Sequence, residues 1–394
     1  MNLKKTELSK KIVIFLIILI TIYTIFNFYR FYLNNFSYEF DPWLSNYQGG
    51  FVRRGMPGEL FYQIYNMIGI TPDLSAFVFV SFLYIFFFWF LSVLIKSIKT
   101  SNLILVIIFS PLALFFSVIN SKATGHKEII FFAALAIIFL LINKLNKKNI
   151  LILISCLMII LGASYEAIIF YFLYLISPFF LFKTFKNYKE IFCYLTYFAC
   201  LSFLLLLINF FFKGSEQIVN EICLSIKQFV NQNCSIVGKI ADLSLSVEDH
   251  TIQKTNAPGA LNLFEGYSIL YSIGFLYGYF GLLIILFNSN LKNKLLKNIN
   301  LLILFSIFFL FTFPVYYFGA DWGRYLYISN ISAIIILFSL IKNKLIKIKD
   351  NKFITTLNKI PSKIFIIFIF LYSLSFSVPI CCQSNFKLGL LKIF

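Results

Sequence analysis

The sequence is short of charge. Only 13% of its 394 residues are charged, about half the share found in soluble domains. An ordinary soluble enzyme needs more than that to stay in water. Acids are scarcer still, 16 against 34 bases. There are only two histidines, and neither a C-x-x-C pair nor any other metal-ligand spacing occurs. No cofactor motif is visible, and use of a divalent metal is left open. The alternating pattern of a membrane β-barrel is also missing. What abounds is apolar: 60% of residues are hydrophobic, with 52 Phe and 23 Tyr. That excludes a disordered chain. No exposed basic domain interleaved with aromatics exists, so a nucleic-acid partner is not expected.

A spanning helix needs about 20 mostly apolar residues. Runs of this kind are Lys11–Tyr32, Leu74–Ile95, Asn102–Ile119, Ile129–Ile142, Ile150–Tyr165, Ala167–Phe182, Ile191–Phe212, Tyr267–Phe287, Leu301–Phe318, Tyr325–Ile341 and Ile364–Ile380. Bare backbone is not viable in lipid, so the expected fold is all-α, a polytopic membrane protein with about 11 helices. Residues 1–394 are read as a single transmembrane domain. The first run is too long for a signal-peptide core, and no small-residue cleavage site follows it, so it is expected to stay as an anchor.

Basic residues mark the inner side of a membrane. Lys4, Lys5, Lys10 and Lys11 precede the first run, which places the N-terminus inside and the C-terminus outside. Alternation then puts five further groups inside: Lys96 and Lys99; Lys144, Lys147 and Lys148; Lys183, Lys186 and Lys189; Lys292, Lys294 and Lys297; and the lysines from Lys342 to Lys363. Together with the N-terminal group they hold 22 of the 34 bases. The net charge of +18 is thus mostly a threading signal. Residues 150–182 are long for one span and short for two. A hairpin turning near Gly162–Glu166 keeps both flanking lysine groups inside.

Two outer segments are large: 34–73, which holds the candidate active site, and 213–265. Glu59–Ile68 reads as an amphipathic helix lying on the outer surface. Cys223 and Cys234 share the second segment and either form a disulfide or stay as thiols. Cys156, Cys193 and Cys200 lie in apolar runs and read as small apolar residues.

Of the 16 acids, only Glu7, Glu190 and Asp350 fall inside. Solubility of long loops explains part of that bias. It does not explain acids held beside cations and glycines in short outer turns. Four places stand out. The first runs from Glu39-Phe40-Asp41-Pro42-Trp43 through Tyr47 to Arg53-Arg54-Gly55. Arginines here defy the positive-inside bias, and a guanidinium binds phosphate bidentately. The second is the turn with Lys122, His126, Lys127 and Glu128. The third is Glu166, whose flanks are apolar, so it needs a partner and burial alone raises its pKa. The fourth is Asp321-Trp322-Gly323-Arg324-Tyr325. The plainer alternatives are an ion-paired loop, a solvated turn, a buried structural carboxyl and an aromatic belt with a local ion pair. Ionisable groups at membrane depth are functional more often than not.

A lipid-linked substrate suits this layout, because its tail stays in the bilayer while its head meets the outer surface. Arg53, Arg54, Lys122, His126, Lys127, Asp321 and Arg324 suit a phosphate or pyrophosphate leaving group and its surroundings. Trp43, Tyr47, Trp322 and Tyr325 suit stacking on sugar faces. Asp41, Glu39 and Glu166 are the candidate catalytic carboxylates, able to deprotonate an acceptor hydroxyl.

An acid in the first outer loop, directly after the first span, resembles the membrane-embedded GT-C glycosyltransferases. Those enzymes use lipid-linked donors and keep their catalytic acid in that loop. The resemblance implies Asp41 as base, with Glu39 as substitute. YQGGFVRRG (Tyr47–Gly55) and DWGRY (Asp321–Tyr325) are similar to polytopic proteins of bacterial surface-polysaccharide clusters, where O-antigen-type polymerases occur. Two features depart from those patterns. The usual adjacent acid pair is Glu39-Phe40-Asp41 here, and residues 213–265 lack the arginines that polymerases often place in such loops. Transfer and polymerisation therefore stay open. The resemblance implies a multi-pass protein of the bacterial cytoplasmic membrane whose partners are a lipid-linked sugar and membrane lipid. The competing class is a transporter or flippase of lipid-linked oligosaccharide. It fits less well, because such proteins place charges near the midplane and use broken helices.

Overall fold

The computed structural model describes residues 2–33, 39–99, 101–229, 240–244, 266–292, 299–319, 321–349 and 351–380. Among the described residues the fold is nearly all-α. Each of the eleven apolar runs folds largely as helix, but not every run is one long helix. Among the described residues, six helices are long and apolar enough to cross a membrane: Lys10–Leu33, Pro72–Ser97, Lys147–Ser164, Tyr188–Phe211, Ile269–Phe287 and Trp322–Lys342. A seventh is added if Lys352–Lys359 and Ile364–Ser375, bent by 112°, are one span. Glu128–Leu141, Glu166–Phe182 and Leu301–Phe311 are shorter apolar helices.

The shortfall from eleven has local causes. The run Asn102–Ile119 breaks into Asn102–Ile108 and Phe116–Ile119. Pro111 sits in the break, where it lacks the N–H that a continuous helix needs. Leu301–Phe318 breaks at Thr312, and the next helix, Phe313–Phe318, opens with Pro314 in its first turn.

The chain forms two compact units. One holds Met1–Tyr23, Phe88–Ser121 and Lys254–Phe394; the other holds Thr24–Phe87 and Lys122–Gln253. In the first, Trp322–Lys342 is the buried central helix. It packs on Gly266–Phe287, which in turn packs on Asn102–Ile108 and Leu301–Phe311. At one end of this unit, Lys10 Nζ donates to Lys96 O at 2.9 Å, and Asn102 Nδ2 donates to Leu357 O at 2.7 Å. Strands Ser289–Leu291 and Ile346–Ile348 pair antiparallel, Ser289 opposite Ile348. Elsewhere in the unit, Asn120 Nδ2 donates to Val378 O at 3.0 Å, Tyr271 OH to Pro379 O at 3.1 Å and Gly323 N to Ile380 O at 3.1 Å. Within this unit, segments that the lysine pattern assigns to the inside therefore meet one another, and so do those assigned to the outside.

In the second unit, Glu128–Leu141, Lys147–Ser164, Phe172–Phe182 and Tyr188–Phe211 pack together. The expected hairpin is present. Tyr165 takes extended backbone (φ −165°, ψ 109°) and ends the helix Lys147–Ser164. A 3-10 turn, Glu166–Tyr171, then starts the return. At the lysine-bearing end, Lys183 Nζ donates to Ile142 O, the C-cap of Glu128–Leu141, and, at 2.6 Å, to Leu145 O in the turn that follows, placing a cation at the C-terminal end of that helix. Lys147 pairs with Glu190. The two lysine groups flanking the hairpin thus share one end.

Met56–Ile68 forms the amphipathic helix, three residues longer at its start than the sequence suggests. It buries Pro57, Gly58 and Phe61 and exposes Leu60, Met67 and Ile68. In the segment 213–265, Ser215 caps the helix Glu216–Ile226 by accepting from Ile218 N at 3.2 Å. Cys223 is disulfide-bonded; Cys234 lies outside the described residues. Cys156, Cys193 and Cys200 are free thiols.

Candidate functional site

The second unit brings three of the four motifs into one cluster. Its foundation is the segment Glu39–Leu44, which ends in a short 3-10 helix begun by Asp41-Pro42. Asp41 is wholly buried, and its Oδ2 accepts from Ile240 N at 3.4 Å. Trp43 is equally buried and donates through Nε1 to Gly125 O at 2.7 Å. Lys127 lies over the Trp43 ring at 5.8 Å, a cation–π contact. Lys127 Nζ then donates to Arg54 O at 2.8 Å. The first and second motifs are therefore joined by side chains from both.

Arg54 carries the link to the third motif. Its Nε lies 2.9 and 2.7 Å from the two oxygens of Glu166, and Nη2 donates to Oε1 as well. Its guanidinium also faces the Tyr165 ring at 5.6 Å. Arg53 Nη1 is 4.0 Å from the same Glu166 oxygen, and Arg53 Nη2 donates to Asp242 O at 3.3 Å. Burial works against the charge on Arg54, but the Glu166 carboxylate outweighs burial and holds the guanidinium above its ordinary value. Burial also works against the charge on Glu166, in the turn outside the spans, yet Arg54 holds that carboxyl well below the usual carboxylate range. The expectation of a raised pKa at Glu166 is thus reversed, because the missing partner is a fork that binds both oxygens. For Arg53, burial prevails and lowers the value.

Arg54 has φ +66°, the left-handed region that normally favours glycine. Gly55 stands next to it, yet has φ −78°. The reason is steric. A Cβ on Gly55 would lie 2.3 Å from the Tyr47 ring. The glycine is used for closeness, and the turn's left-handed position falls to an arginine. Such strain persists where its surroundings over-determine it. Here Gly55 N donates to Val52 O at 3.3 Å, Arg53 N donates to Phe212 O at 3.0 Å, and Lys127 and Glu166 grip Arg54.

The other predicted residues are distributed around this core. Glu39 is buried and lies 3.5 Å from Lys122, whose side chain is 73% exposed. That exposure makes this pair weak. His126 is buried in the same turn. Tyr47 packs on Phe51 at 4.9 Å between ring centroids, and its N donates to Glu59 Oε2 at 2.9 Å. Burial and the Glu59 charge push the Tyr47 hydroxyl up to about 12. Trp43 is enclosed by Phe28, Phe79 and Lys127, so its faces are occupied in this state. Gly125 is pressed against Glu39, and a Cβ there would lie 2.6 Å from Glu39 Cβ and 2.7 Å from Glu39 O. Gly125→Ala is expected to destabilise the protein by about 1–3 kcal/mol, read as a lower thermal midpoint in detergent; an unchanged midpoint would contradict this packing.

The fourth motif belongs to the first unit. Arg324, buried, pairs with Asp321. Trp322 Nε1 donates to Tyr316 O at 2.9 Å and Gly319 O at 3.2 Å, and its ring lies near Tyr271 and Tyr316. Tyr165 and Glu59 lie inside the motifs singled out in the sequence but were given no role in the site. Asp242 was not singled out; it acts through its backbone carbonyl, which leaves no trace in residue type. Among the described residues, no three His, Cys, Asp or Glu side chains converge to hold a metal ion. No family model matches the chain, and neither a curated protein nor a solved structure matches it.

Proposed function

We propose that the protein is a membrane glycosyltransferase or polysaccharide polymerase. It uses a polyprenyl-phosphate- or pyrophosphate-linked sugar at the outer face of a bacterial cytoplasmic membrane, in making cell-envelope polysaccharide. In this reading the chain crosses about eleven times, N-terminus inside and C-terminus outside, with the shorter and broken helices completing the crossings. The observation that carries it is the Arg54–Glu166–Lys127–Trp43 cluster, at the far end of Lys147–Ser164 from the lysine groups. That helix has 18 residues, about 27 Å of rise, close to the roughly 30 Å of a hydrocarbon core. In this reading, cations and carboxylates gather at the level a lipid-anchored headgroup occupies.

In this scheme Arg53 and Arg54 neutralise the departing phosphate. Asp41 takes the acceptor's proton, with Glu39 as its substitute, and reaching Asp41 requires the Glu39–Leu44 segment to open. Trp43, once that segment has opened, and Tyr47 supply aromatic surface for sugars.

The test is a strain lacking the protein. Lipid-linked glycan is expected to build up on the outer leaflet, where added periodate or a lectin reaches it in intact spheroplasts. Build-up on the inner leaflet would favour a flippase and end the transferase reading.

A further inference from the structure

The two adjacent arginines differ in what surrounds them, and Glu166 is the reason. Its carboxylate occupies the Arg54 fork through both oxygens, and Arg53 Nη1 stands 4.0 Å from the same oxygen. A phosphate binds a guanidinium fork in this same way and has more oxygens to share with a second one. Access matters too. The side chains of Arg54 and Glu166 are 18% and 19% exposed, whereas Asp41 is fully enclosed. A ligand can therefore reach the fork without dismantling the core.

The two partners of the pair are not equally held. Arg54's turn is tied by Lys127 at its carbonyl and by backbone bonds at Arg53 and Gly55. Glu166 is mounted on the first residue of a 3-10 turn, directly after the extended residue Tyr165. A 3-10 stretch has poorer hydrogen-bond geometry than an α-helix, and one that is part of a longer helix often marks a hinge. The cationic wall is thus fixed, and the carboxylate is the half that can leave.

We infer that Glu166 is a resident occupant of an anion site: its carboxylate fills the place where the phosphate of a prenyl-linked substrate binds, and substrate displaces it. This rests on the reading of the cluster as a phosphate-binding site. Without substrate, Glu166 neutralises guanidinium groups that are largely withdrawn from water, where unpaired charge is costly. When substrate arrives, the swap returns a free carboxylate beside the bound headgroup.

Binding to the purified full-length protein in detergent tests this without any turnover. The probes are farnesyl diphosphate and inorganic pyrophosphate. An internal competitor lowers apparent affinity by the fraction of molecules in which it has left the site. Glu166→Gln keeps the side chain's shape and removes its charge, so farnesyl diphosphate should bind about ten-fold tighter than to the unaltered protein. Glu166→Asp, shorter by one methylene, should give a smaller gain and serves if the Gln variant does not fold. Arg54→Lys should weaken binding in either background. Unchanged or weaker binding by both Glu166 variants would overturn the proposal, because a purely structural carboxylate changes stability and not affinity. Equal gains for inorganic pyrophosphate and farnesyl diphosphate would overturn the assignment to a lipid headgroup. Tight prenyl-diphosphate binding in a protein that transfers no sugar would sink the transferase reading and leave the occupant in place.

Discussion

Asp41→Asn is expected to abolish glycan extension while leaving the protein folded. Asparagine matches aspartate in size and keeps an oxygen able to accept from Ile240 N, the bond made at 3.4 Å. The enclosed packing around residue 41 is therefore preserved. What is lost is the capacity to take a proton. General-base contributions run to about 10²–10⁴-fold in rate, and extension should fall by that factor. Lipid-linked precursor should accumulate on the outer leaflet, and the thermal midpoint should stay close to that of the unaltered protein. Glu39→Gln should cost less in rate, since the proposed scheme gives Glu39 only the part of a substitute base. Full extension by Asp41→Asn would remove Asp41 from the chemistry. A collapsed midpoint would make it a structural acid instead.

The second large effect concerns stability. Arg54→Ala leaves the Glu166 carboxylate with Arg53, 4.0 Å away, as its remaining cation. Breaking a buried pair by removing one partner costs roughly 3–5 kcal/mol. With side chains 18% and 19% exposed, the lower figure of about 3 kcal/mol applies. Adding Glu166→Ala should recover most of the loss, because no charge is then left unpaired. The double-mutant cycle isolates the pair itself. A second comparison separates the backbone from the charge. Arg54→Gly removes the same guanidinium but accepts φ +66° without penalty. It should be more stable than Arg54→Ala by roughly 1 kcal/mol. Equal stabilities for the two variants would mean that the left-handed turn is not strained.

Much of the architecture was legible because the rules behind it act along the chain. Apolar runs marked the helices, and lysine groups marked which ends belong together. The contacts of Lys10 with Lys96, of Lys147 with Glu190 and of Lys183 with Leu145 agree with that marking. The hairpin at Glu166 followed from the same counting. Helix length was less legible. The breaks near Pro111 and Thr312 depend on where the chain finds replacement hydrogen bonds, and a run of hydrophobic letters does not record that.

Residue type alone determined that this chain is rich in membrane-length apolar helices and that its acids gather away from most of its lysines. Desolvation makes every charge near lipid costly, so the placement of charge is written directly into composition. Partner choice was decided only by the tertiary structure. It set Arg54 rather than Arg53 on Glu166, gave the left-handed position to an arginine beside an available glycine, and laid Lys127 across Trp43. Those outcomes depend on angstrom-scale distances between residues far apart in the chain, such as the Tyr47 ring against Gly55. No pattern of neighbours in sequence contains such distances.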